Sequence, residues 1–289
     1  MRAAAQGAAL LATLLLAGCT TLELGAVNAL ELGGSYHRES DLAYGSDPRQ
    51  RLDVYLPDGP SHGPRPLVVF VHGGRWSSGS KSQYRFVAAG LAERGIVVVV
   101  PDYRLYPEVR MAGAADDVAR AVAWAERAAP RYGADPGGVA VMGHSAGAQL
   151  AALVATDQRW LAAAGGTPVR AFVGLAGPYD FLPLTDDDLK DYFGPPARYP
   201  ESQPVNYVDA ASAPALLVHG AADTTTRPRN TESFAARLRS SGVPVEVQLL
   251  PGEDHTAVLK RFARIYRGGD GVYDAIVRFL SAPPARRGA

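Results

Sequence analysis

The pentapeptide Gly-His-Ser-Ala-Gly at residues 143–147 constrains the fold of this chain more than any other feature. It follows an apolar run at residues 139–142 and leads into an alanine-rich, helix-like stretch at residues 146–155. This order predicts a strand, a sharp turn and a helix, which is the context that a G-x-S-x-G nucleophile elbow requires. A serine in such a turn, here Ser145, is presented at the carboxyl end of a sheet, where a base can reach its hydroxyl.

Composition restricts the classes of protein to which the chain can belong. Of its 289 residues, 47% are hydrophobic and 20% are charged, a balance typical of a globular protein with a sizeable core. The formal net charge is zero, so neither a nucleic-acid partner nor electrostatic membrane binding is expected. The sequence shows no cluster of metal ligands and no nucleotide-binding loop, and we therefore expect no metal and no cofactor. It indicates no particular oligomeric state.

The first residues are typical of a secretory signal. Arg2 precedes an apolar segment at residues 8–17, and small residues follow up to Cys19, the single cysteine of the chain. The tetrapeptide at residues 16–19, Leu-Ala-Gly-Cys, resembles the lipobox of bacterial lipoproteins, in which the cysteine is acylated. An ordinary signal peptide and a transmembrane anchor are the alternatives, but the apolar run is shorter than the ~20 residues that a span requires.

This interpretation divides the chain into three parts. Residues 1–18 form a signal peptide, residues 19–48 a lipidated N-terminus and flexible tether, and residues 49–282 a catalytic domain. The lipid would hold the protein in the bacterial cell envelope, facing the periplasm or the exterior. Thr20 stands where an aspartate is associated with retention in the inner membrane, so by resemblance the outer membrane is preferred.

Strand-like and helix-like segments alternate from residue 51 onward. Residues 51–56 alternate polar and apolar side chains, as a half-buried edge strand does. Continuous apolar runs predict buried strands, and amphipathic stretches predict helices between them. The other predicted strands are residues 67–71, 96–100, 139–142, 169–175, 215–218 and 243–250, and further helices are predicted at residues 82–94, 114–131, 231–240 and 272–280. The alternation favours an α/β fold with a mostly parallel, doubly wound sheet.

One long insertion, residues 177–213, lies between two predicted strands and is rich in Asp, Pro and Tyr. Its length allows a small lid but not a full cap domain. Trp76, Tyr179 and Tyr192 are candidate walls of a substrate pocket, although packing within the core would explain each of them equally well.

The serine hydroxyl needs a base, and the base needs an orienting acid. In a sheet of this order the acid and then a histidine should follow the serine along the chain, each after a strand. Asp223 follows the predicted strand at residues 215–218, and His255 follows the strand at residues 243–250. Ser145, Asp223 and His255 are therefore the predicted nucleophile, acid and base.

Other residues compete for these roles. The remaining histidines are His37, His62, His72, His144 and His219. The first two lie in polar loops, and His144, directly before the nucleophile, cannot turn back onto it. His219 ends a strand and is expected to hydrogen-bond the acid loop. Asp180 follows the preceding strand and is an alternative acid, whereas Asp254 is expected to shape the loop before His255.

A glycine-rich turn supplies the third element of such a site. His72, Gly73 and Gly74 follow the predicted buried strand at residues 67–71. Glycines there let backbone N–H groups converge on the oxyanion of a tetrahedral intermediate, together with the amide of Ala146 after the nucleophile. A simple tight turn after a strand is the alternative. We favour an oxyanion hole, because the turn lies beside the predicted elbow.

With these motifs the chain resembles an α/β-hydrolase from about Arg51 to Leu280. The sequence His-Gly-Gly-Arg-Trp at residues 72–76 is similar to the HGG-x-W or HGGG motif of the hormone-sensitive-lipase-like esterases and the kynurenine-formamidase-like group. Residues 101–105, the Asp116-Asp117 pair and residues 219–223 resemble further segments of these families. The resemblance implies the amides of Gly74, Arg75 and Ala146 as oxyanion donors.

The resemblance is incomplete at two points. Arg75 replaces the third glycine of HGGG, which is closer to the formamidase-like pattern, and a large helical cap is absent from the sequence. The expected function is a serine carboxylesterase acting on a small-molecule ester with a short or medium acyl chain, or on an aryl ester. The alternatives are an arylformamidase-like amide hydrolase and a non-catalytic, lipid-anchored binding or envelope protein.

Overall fold

A computed structural model describes Asn28 and residues 34–282 of the chain. Within this part the backbone forms one eight-stranded sheet with the order β1-β2-β4-β3-β5-β6-β7-β8. The strands are β1 (Tyr36–Ala43), β2 (Arg51–Pro57), β3 (Arg65–Val71), β4 (Val97–Pro101), β5 (Ala134–His144), β6 (Ala171–Leu175), β7 (Ala215–Gly220) and β8 (Val245–Leu250). Strand β2 pairs antiparallel with both of its neighbours, β1 and β4. All other neighbouring strands of the sheet pair in parallel.

Helices cover both faces of the sheet. They are α1 (Arg85–Ala92), α2 (Met111–Ala128), α3 (Ala146–Thr156), α4 (Arg159–Ala163), α5 (Asp187–Phe193), α6 (Arg229–Ser240), α7 (Ala257–Lys260) and α8 (Val272–Ser281), with short 3-10 helices at Lys81–Tyr84, Ala129–Tyr132, Pro196–Ser202 and Pro204–Tyr207. Alternate residues of β3 point to opposite faces, so Val69 packs with α2 and α3 whereas Val68 packs with α1 and α8. The predicted doubly wound, mostly parallel sheet is confirmed.

Two sequence-based predictions about the N-terminal side of the sheet were wrong. Residues 19–48 were interpreted as a tether, but Tyr36–Ala43 within that range is strand β1. Residues 51–56 were interpreted as an edge strand, but β2 lies between β1 and β4. The mixed polarity of β1 explains both errors: its side chains are exposed or only half buried, so no hydrophobic pattern marks the strand that covers the edge of β2.

The insertion at residues 177–213 is folded against the rest of the protein. It contains α5 and the two 3-10 helices at Pro196–Ser202 and Pro204–Tyr207. The rings of Tyr192 and Phe193 pack on Trp76, with centroids 5.6 and 5.0 Å away, and Phe181 lies 6.2 Å from the same ring. This aromatic cluster fixes the insertion beside the loop that follows β3, and its role as a lid stays a prediction.

Within Asn28 and residues 34–282, none of the helices is both long and apolar enough to cross a lipid bilayer. The predicted signal peptide, Cys19 and Thr20 lie outside these described residues.

A buried carboxylate ties the segment after β4 to α2. Asp117 is fully buried, and its oxygens accept hydrogen bonds from the Gln50 amide at 2.7 Å and from the Arg104 guanidinium at 2.6 Å. The backbone N–H of Arg104 also donates to Asp117, at 2.8 Å. The side chain therefore joins the residue before β2, the segment after β4 and α2.

Alanine at position 117 should lower the free energy of unfolding by about 3 kcal/mol, since it leaves buried donors without an acceptor. Urea denaturation of the wild type and the Asp117→Ala variant measures the loss. Asp116→Ala is the matched control, because Asp116 pairs with Arg120 at the surface and lies 3.9 Å from Arg104, outside hydrogen-bonding distance. That variant should stay within about 0.5 kcal/mol of the wild type. Equal losses in the two variants would contradict the role assigned to the buried network.

Candidate active site

The turn between β5 and α3 holds Ser145 in a strained conformation. Its backbone has φ 54° and ψ −123°, a region that non-glycine residues seldom adopt. Its N–H donates to the carbonyl of Leu175 at 2.9 Å, which fixes the turn to the neighbouring strand β6. A Cβ at Gly143 would lie 2.4 Å from the carbonyl oxygen of Gly147, and one at Gly147 would lie 2.3 Å from that of Val71. Only glycine at both positions allows β3, β5 and α3 to approach this closely.

The structure brings the three predicted catalytic side chains together. The Nε2 atom of His255 lies 2.9 Å from Ser145 Oγ, and its Nδ1 atom lies 2.7 Å from Asp223 Oδ2. Ser145 follows β5, Asp223 follows β7 and His255 follows β8, so the carboxyl ends of parallel strands supply all three. The carboxylate is fully buried, whereas the imidazole is 14% exposed and Ser145 is half buried.

Hydrogen bonds hold the buried carboxylate in its ionised form. Burial opposes the charge, but hydrogen bonds from His219 and His255 outweigh it, and the pKa of Asp223 lies well below its usual range. The backbone N–H groups of Thr225 and Thr226 donate to Oδ1 at 2.8 and 2.9 Å. Oδ1 therefore faces backbone donors, which leaves Oδ2 to the two histidines.

His219 lies where the sequence analysis expected it. Its Nε2 atom is 3.1 Å from Asp223 Oδ2 and 2.7 Å from the Thr226 carbonyl, so this nitrogen faces two acceptors and carries the proton. Its Nδ1 atom then accepts from the hydroxyl of Thr231 on α6 at 2.7 Å. Thr231 was not predicted, because nothing in the sequence indicates which residue of α6 meets the end of β7.

The two competing acids have other partners. Asp180 accepts a hydrogen bond from the Ser233 hydroxyl at 2.5 Å. Asp254 accepts from the backbone N–H groups of Thr256 and Ala257, at 3.0 and 2.9 Å, and so shapes the turn into α7. Neither of these carboxylates makes a hydrogen bond to His255 among the described residues.

The loop after β3 has the backbone expected of a donor site. Gly74, Arg75 and Trp76 all have positive φ, of 128°, 53° and 60°, which turns the chain sharply beside the elbow. Among the described residues, no acceptor takes a hydrogen bond from the amides of Gly74, Arg75 or Ala146. These are the three groups implied as oxyanion donors.

Side chains brace this loop from both sides. The buried ring of His72 stacks on Tyr103 with centroids 4.4 Å apart, and the Trp76 indole donates to Gln149 on α3 at 3.0 Å. The Arg75 guanidinium lies 2.7 Å from an Asp186 oxygen and 3.1 Å from Asp188, at the start of α5. The loop that carries the predicted oxyanion donors is thus tied to both α3 and the insertion.

The three aromatic residues considered as pocket walls are buried. Trp76 is 6% exposed, and Tyr179 and Tyr192 are 0% and 1% exposed. Tyr179 stacks on Phe234 of α6 with centroids 4.7 Å apart, which is a core contact. Among the described residues, no three histidine, cysteine, aspartate or glutamate side chains lie close enough together to hold a metal ion.

Comparison with known proteins identifies the family of the chain. The BD-FAE family model matches residues 52–238, which include Ser145, Asp223 and the loop after β3. The chain belongs to the BD-FAE family. It is therefore a member of the α/β-hydrolase superfamily, as the resemblance in the sequence predicted.

Curated relatives of the chain are named as esterases. The chain is 29% identical to the isoprenylcysteine alpha-carbonyl methylesterase ICME of Arabidopsis thaliana, over 83% of this chain and 61% of that protein. It is 32% identical to esterase LipC of Mycobacterium tuberculosis, over 76% of this chain and 59% of that protein. The chain spans about three-fifths of the length of these relatives.

Solved structures share the fold. Esterase B from Lactobacillus rhamnosis superposes with a TM-score of 0.74 and 21% identity, over 93% of this chain and 95% of that one. A carbohydrate esterase from gut microbiota gives a TM-score of 0.73 and 20% identity, over 86% and 96% of the two chains. The α/β-hydrolase fold class is confirmed.

Two buried histidines near the site make the stability of the fold depend on pH. Burial lowers the pKa of His72 and of His144 from 6.5 to about 3. Below pH 6.5 the unfolded chain binds protons that the folded chain does not, so the free energy of unfolding falls as the pH falls toward 3. Each histidine contributes a slope of about 1.4 kcal/mol per pH unit in that window and none above it.

Urea titrations at several pH values between neutrality and mild acid measure this slope. In the His144→Gln variant one titrating group is gone, so the part of the slope that histidines cause should fall by about half. A free energy of unfolding that stays constant as neutral solution is acidified would contradict the burial of both rings in neutral form.

Proposed function

We propose that the protein is a serine carboxylesterase that works through an acyl-enzyme. One observation carries the proposal: His255 lies within hydrogen-bonding distance of both Ser145 and the ionised Asp223, with the serine on a strained turn. The names of the relatives support the same reaction class, since one is an alpha-carbonyl methylesterase and the other an esterase.

In the first half of the reaction, Ser145 Oγ attacks the carbonyl carbon of the ester and its proton passes to His255 Nε2. The carbonyl oxygen becomes an oxyanion, for which the backbone amides of the loop after β3 and of the α3 N-terminus are the donors. When this intermediate collapses, the ester C–O bond breaks. His255 returns the proton to the leaving alkoxide, and the acyl group stays on the serine.

The second half repeats these steps with water. His255 takes a proton from water as it attacks the acyl carbon, and gives it to Ser145 Oγ when the acid leaves. Asp223 stabilises the imidazolium in both halves and fixes the imidazole with its proton on Nδ1. Every proton and bond in the two half-reactions is accounted for by the ester, water and these side chains.

The insertion supports a proposal on substrate size. Its aromatic cluster packs on Trp76, directly after the proposed oxyanion donors, and the Arg75 side chain is paired with α5. These aromatic side chains contact one another beside the proposed donors. We therefore propose that they restrict the space for the acyl group, so that short acyl groups are preferred over long ones.

The test measures hydrolysis of p-nitrophenyl acetate, butyrate, octanoate and laurate, and compares it with hydrolysis of aryl formamides. We expect turnover of the esters, with kcat/KM highest for acetate or butyrate. Turnover of formamides alone would favour the arylformamidase alternative and overturn the esterase proposal. No turnover of either class would favour a binding role. A preference for laurate would leave the esterase proposal intact and contradict the proposal on acyl length.

We further propose that Cys19 carries a lipid that anchors the enzyme in the bacterial cell envelope. The support is the sequence alone: a lipobox-like tetrapeptide that ends at the single cysteine. The Cys19→Ala variant should move from the membrane fraction to the soluble fraction after cell lysis. If the variant stays with the membrane, an uncleaved anchor replaces this proposal.

A further inference from the structure

The side chain of His144, next to the nucleophile, lies between two parts of the active site. It is almost fully buried, and its ring centroid is 5.0 Å from that of His255. Its Nε2 atom lies 3.3 Å from the backbone carbonyl oxygen of His255, and its Nδ1 atom lies 3.4 Å from the Tyr84 hydroxyl. The mechanism proposed above uses none of these contacts.

Each of these hydrogen bonds has a defined donor and acceptor. The His255 carbonyl can only accept, so the proton of His144 is on Nε2. Nδ1 then has a lone pair, and the Tyr84 hydroxyl donates to it. The Tyr84 oxygen in turn accepts from the backbone N–H of Gly73 at 3.2 Å. The opposite tautomer would place a nitrogen lone pair against the carbonyl oxygen.

We propose that His144 is a positioning residue for ester hydrolysis: through Tyr84 it joins the loop that carries the base to the loop that carries the oxyanion donors. The inference rests on the proposed function. Gly73 at one end of the chain of hydrogen bonds directly precedes the donor Gly74, and the other end is the main chain of His255 itself.

Two further observations fit this role. A Cβ at position 73 would lie 2.9 Å from His144 Nδ1 and 3.0 Å from the Tyr84 hydroxyl, so the glycine makes room for the chain of hydrogen bonds. Burial lowers the pKa of His144 to about 3, so its ring stays neutral at neutral pH. A neutral ring adds no positive charge beside the imidazolium that forms on His255 during the reaction.

The test compares His144→Leu with His144→Gln. Leucine fills the space without polar atoms, whereas glutamine keeps a donor for the His255 carbonyl and an acceptor for Tyr84. With kcat normalised to sites titrated by a p-nitrophenyl phosphonate, we expect His144→Leu to lose ~10-fold to ~100-fold in kcat, with little change in KM. His144→Gln should keep kcat within ~3-fold of the wild type. Equal kcat in all three proteins would overturn the inference.

Tyr84→Phe tests the link to the oxyanion loop, since it removes only the hydroxyl. Alone it should lower kcat, and in combination with His144→Leu it should add less than its separate effect, because both act on one chain of hydrogen bonds. Fully multiplicative effects would show that the two side chains act independently, which contradicts the inference.

A nitrogen-15 NMR spectrum of the wild type reads the tautomer of His144 whether or not any ester is hydrolysed. A proton on Nε2 supports the inference, and a proton on Nδ1 overturns it. If the wild type hydrolyses no ester, the proposed function fails and the positioning role fails with it. If the wild type hydrolyses esters and His144→Leu matches it, the positioning role alone fails.

Discussion

The Ser145→Ala variant should lose ester hydrolysis almost completely, with kcat reduced by roughly 10⁶-fold. Without Oγ no acyl-enzyme forms, and His255 has no hydroxyl to deprotonate, although the oxyanion donors and the binding site remain. Steady-state hydrolysis of p-nitrophenyl butyrate measures kcat. A stopped-flow experiment should show a burst of p-nitrophenol in the wild type if deacylation is the slower step, and no burst in the variant.

Ser233→Ala is a suitable control, because it also removes a serine hydroxyl that is within hydrogen-bonding distance of a carboxylate. Ser233 donates to Asp180, and among the described residues neither side chain makes a hydrogen bond to Ser145, Asp223 or His255, so its loss should leave kcat near the wild-type value. Residual activity in Ser145→Ala above about one-hundredth of the wild type would mean that another residue acts as the nucleophile.

The Asp223→Asn variant should lose about 10⁴-fold in kcat, although asparagine has almost the same shape as aspartate. The N–H groups of Thr225 and Thr226 both donate to Oδ1, so the asparagine oxygen must stay there and its NH₂ group must replace Oδ2. That NH₂ donates to His255 Nδ1, which forces the imidazole proton onto Nε2. The imidazole can then no longer accept the proton of Ser145.

Asp180→Asn is the matched control, and it also tests the alternative acid that the sequence left open. Because Asp180 is paired with Ser233 and makes no described contact with His255, its variant should keep kcat within a few-fold of the wild type. The reverse outcome, with Asp180→Asn inactive and Asp223→Asn active, would reassign the acid. The kcat values of both variants should be compared at the same pH, with the folded fraction checked by circular dichroism.

Much of this architecture could be predicted from the sequence, because the features concerned are local. Continuous apolar runs such as residues 97–100 mark buried strands, and a strand that ends in Gly-x-Ser-x-Gly specifies the turn by the steric needs of its glycines. The order of acid and base along the chain then follows from the order of parallel strands. The structure places His255 within hydrogen-bonding distance of both Ser145 and Asp223, at the carboxyl ends of parallel strands.

What the sequence did not indicate depends on contacts between distant segments. Strand β1 is held by backbone hydrogen bonds to β2 rather than by a buried face, so its side chains carry no periodic signal. The partners of His144 come from the 3-10 helix before α1 and from the loop after β8, which are 60 and 111 residues away along the chain. Only the tertiary fold brings these groups together.

The contact of β3, β5 and α3 through Gly143 and Gly147 has a consequence for how such enzymes diverge. Main-chain atoms alone set the distance between the three elements, so substitutions among the surrounding core side chains can alter stability without displacing the nucleophile. New substrate preferences can then arise in the insertion between β6 and β7, where side chains contact the loop after β3. Chemistry and selectivity are thereby separated into parts of the chain that can vary at different rates.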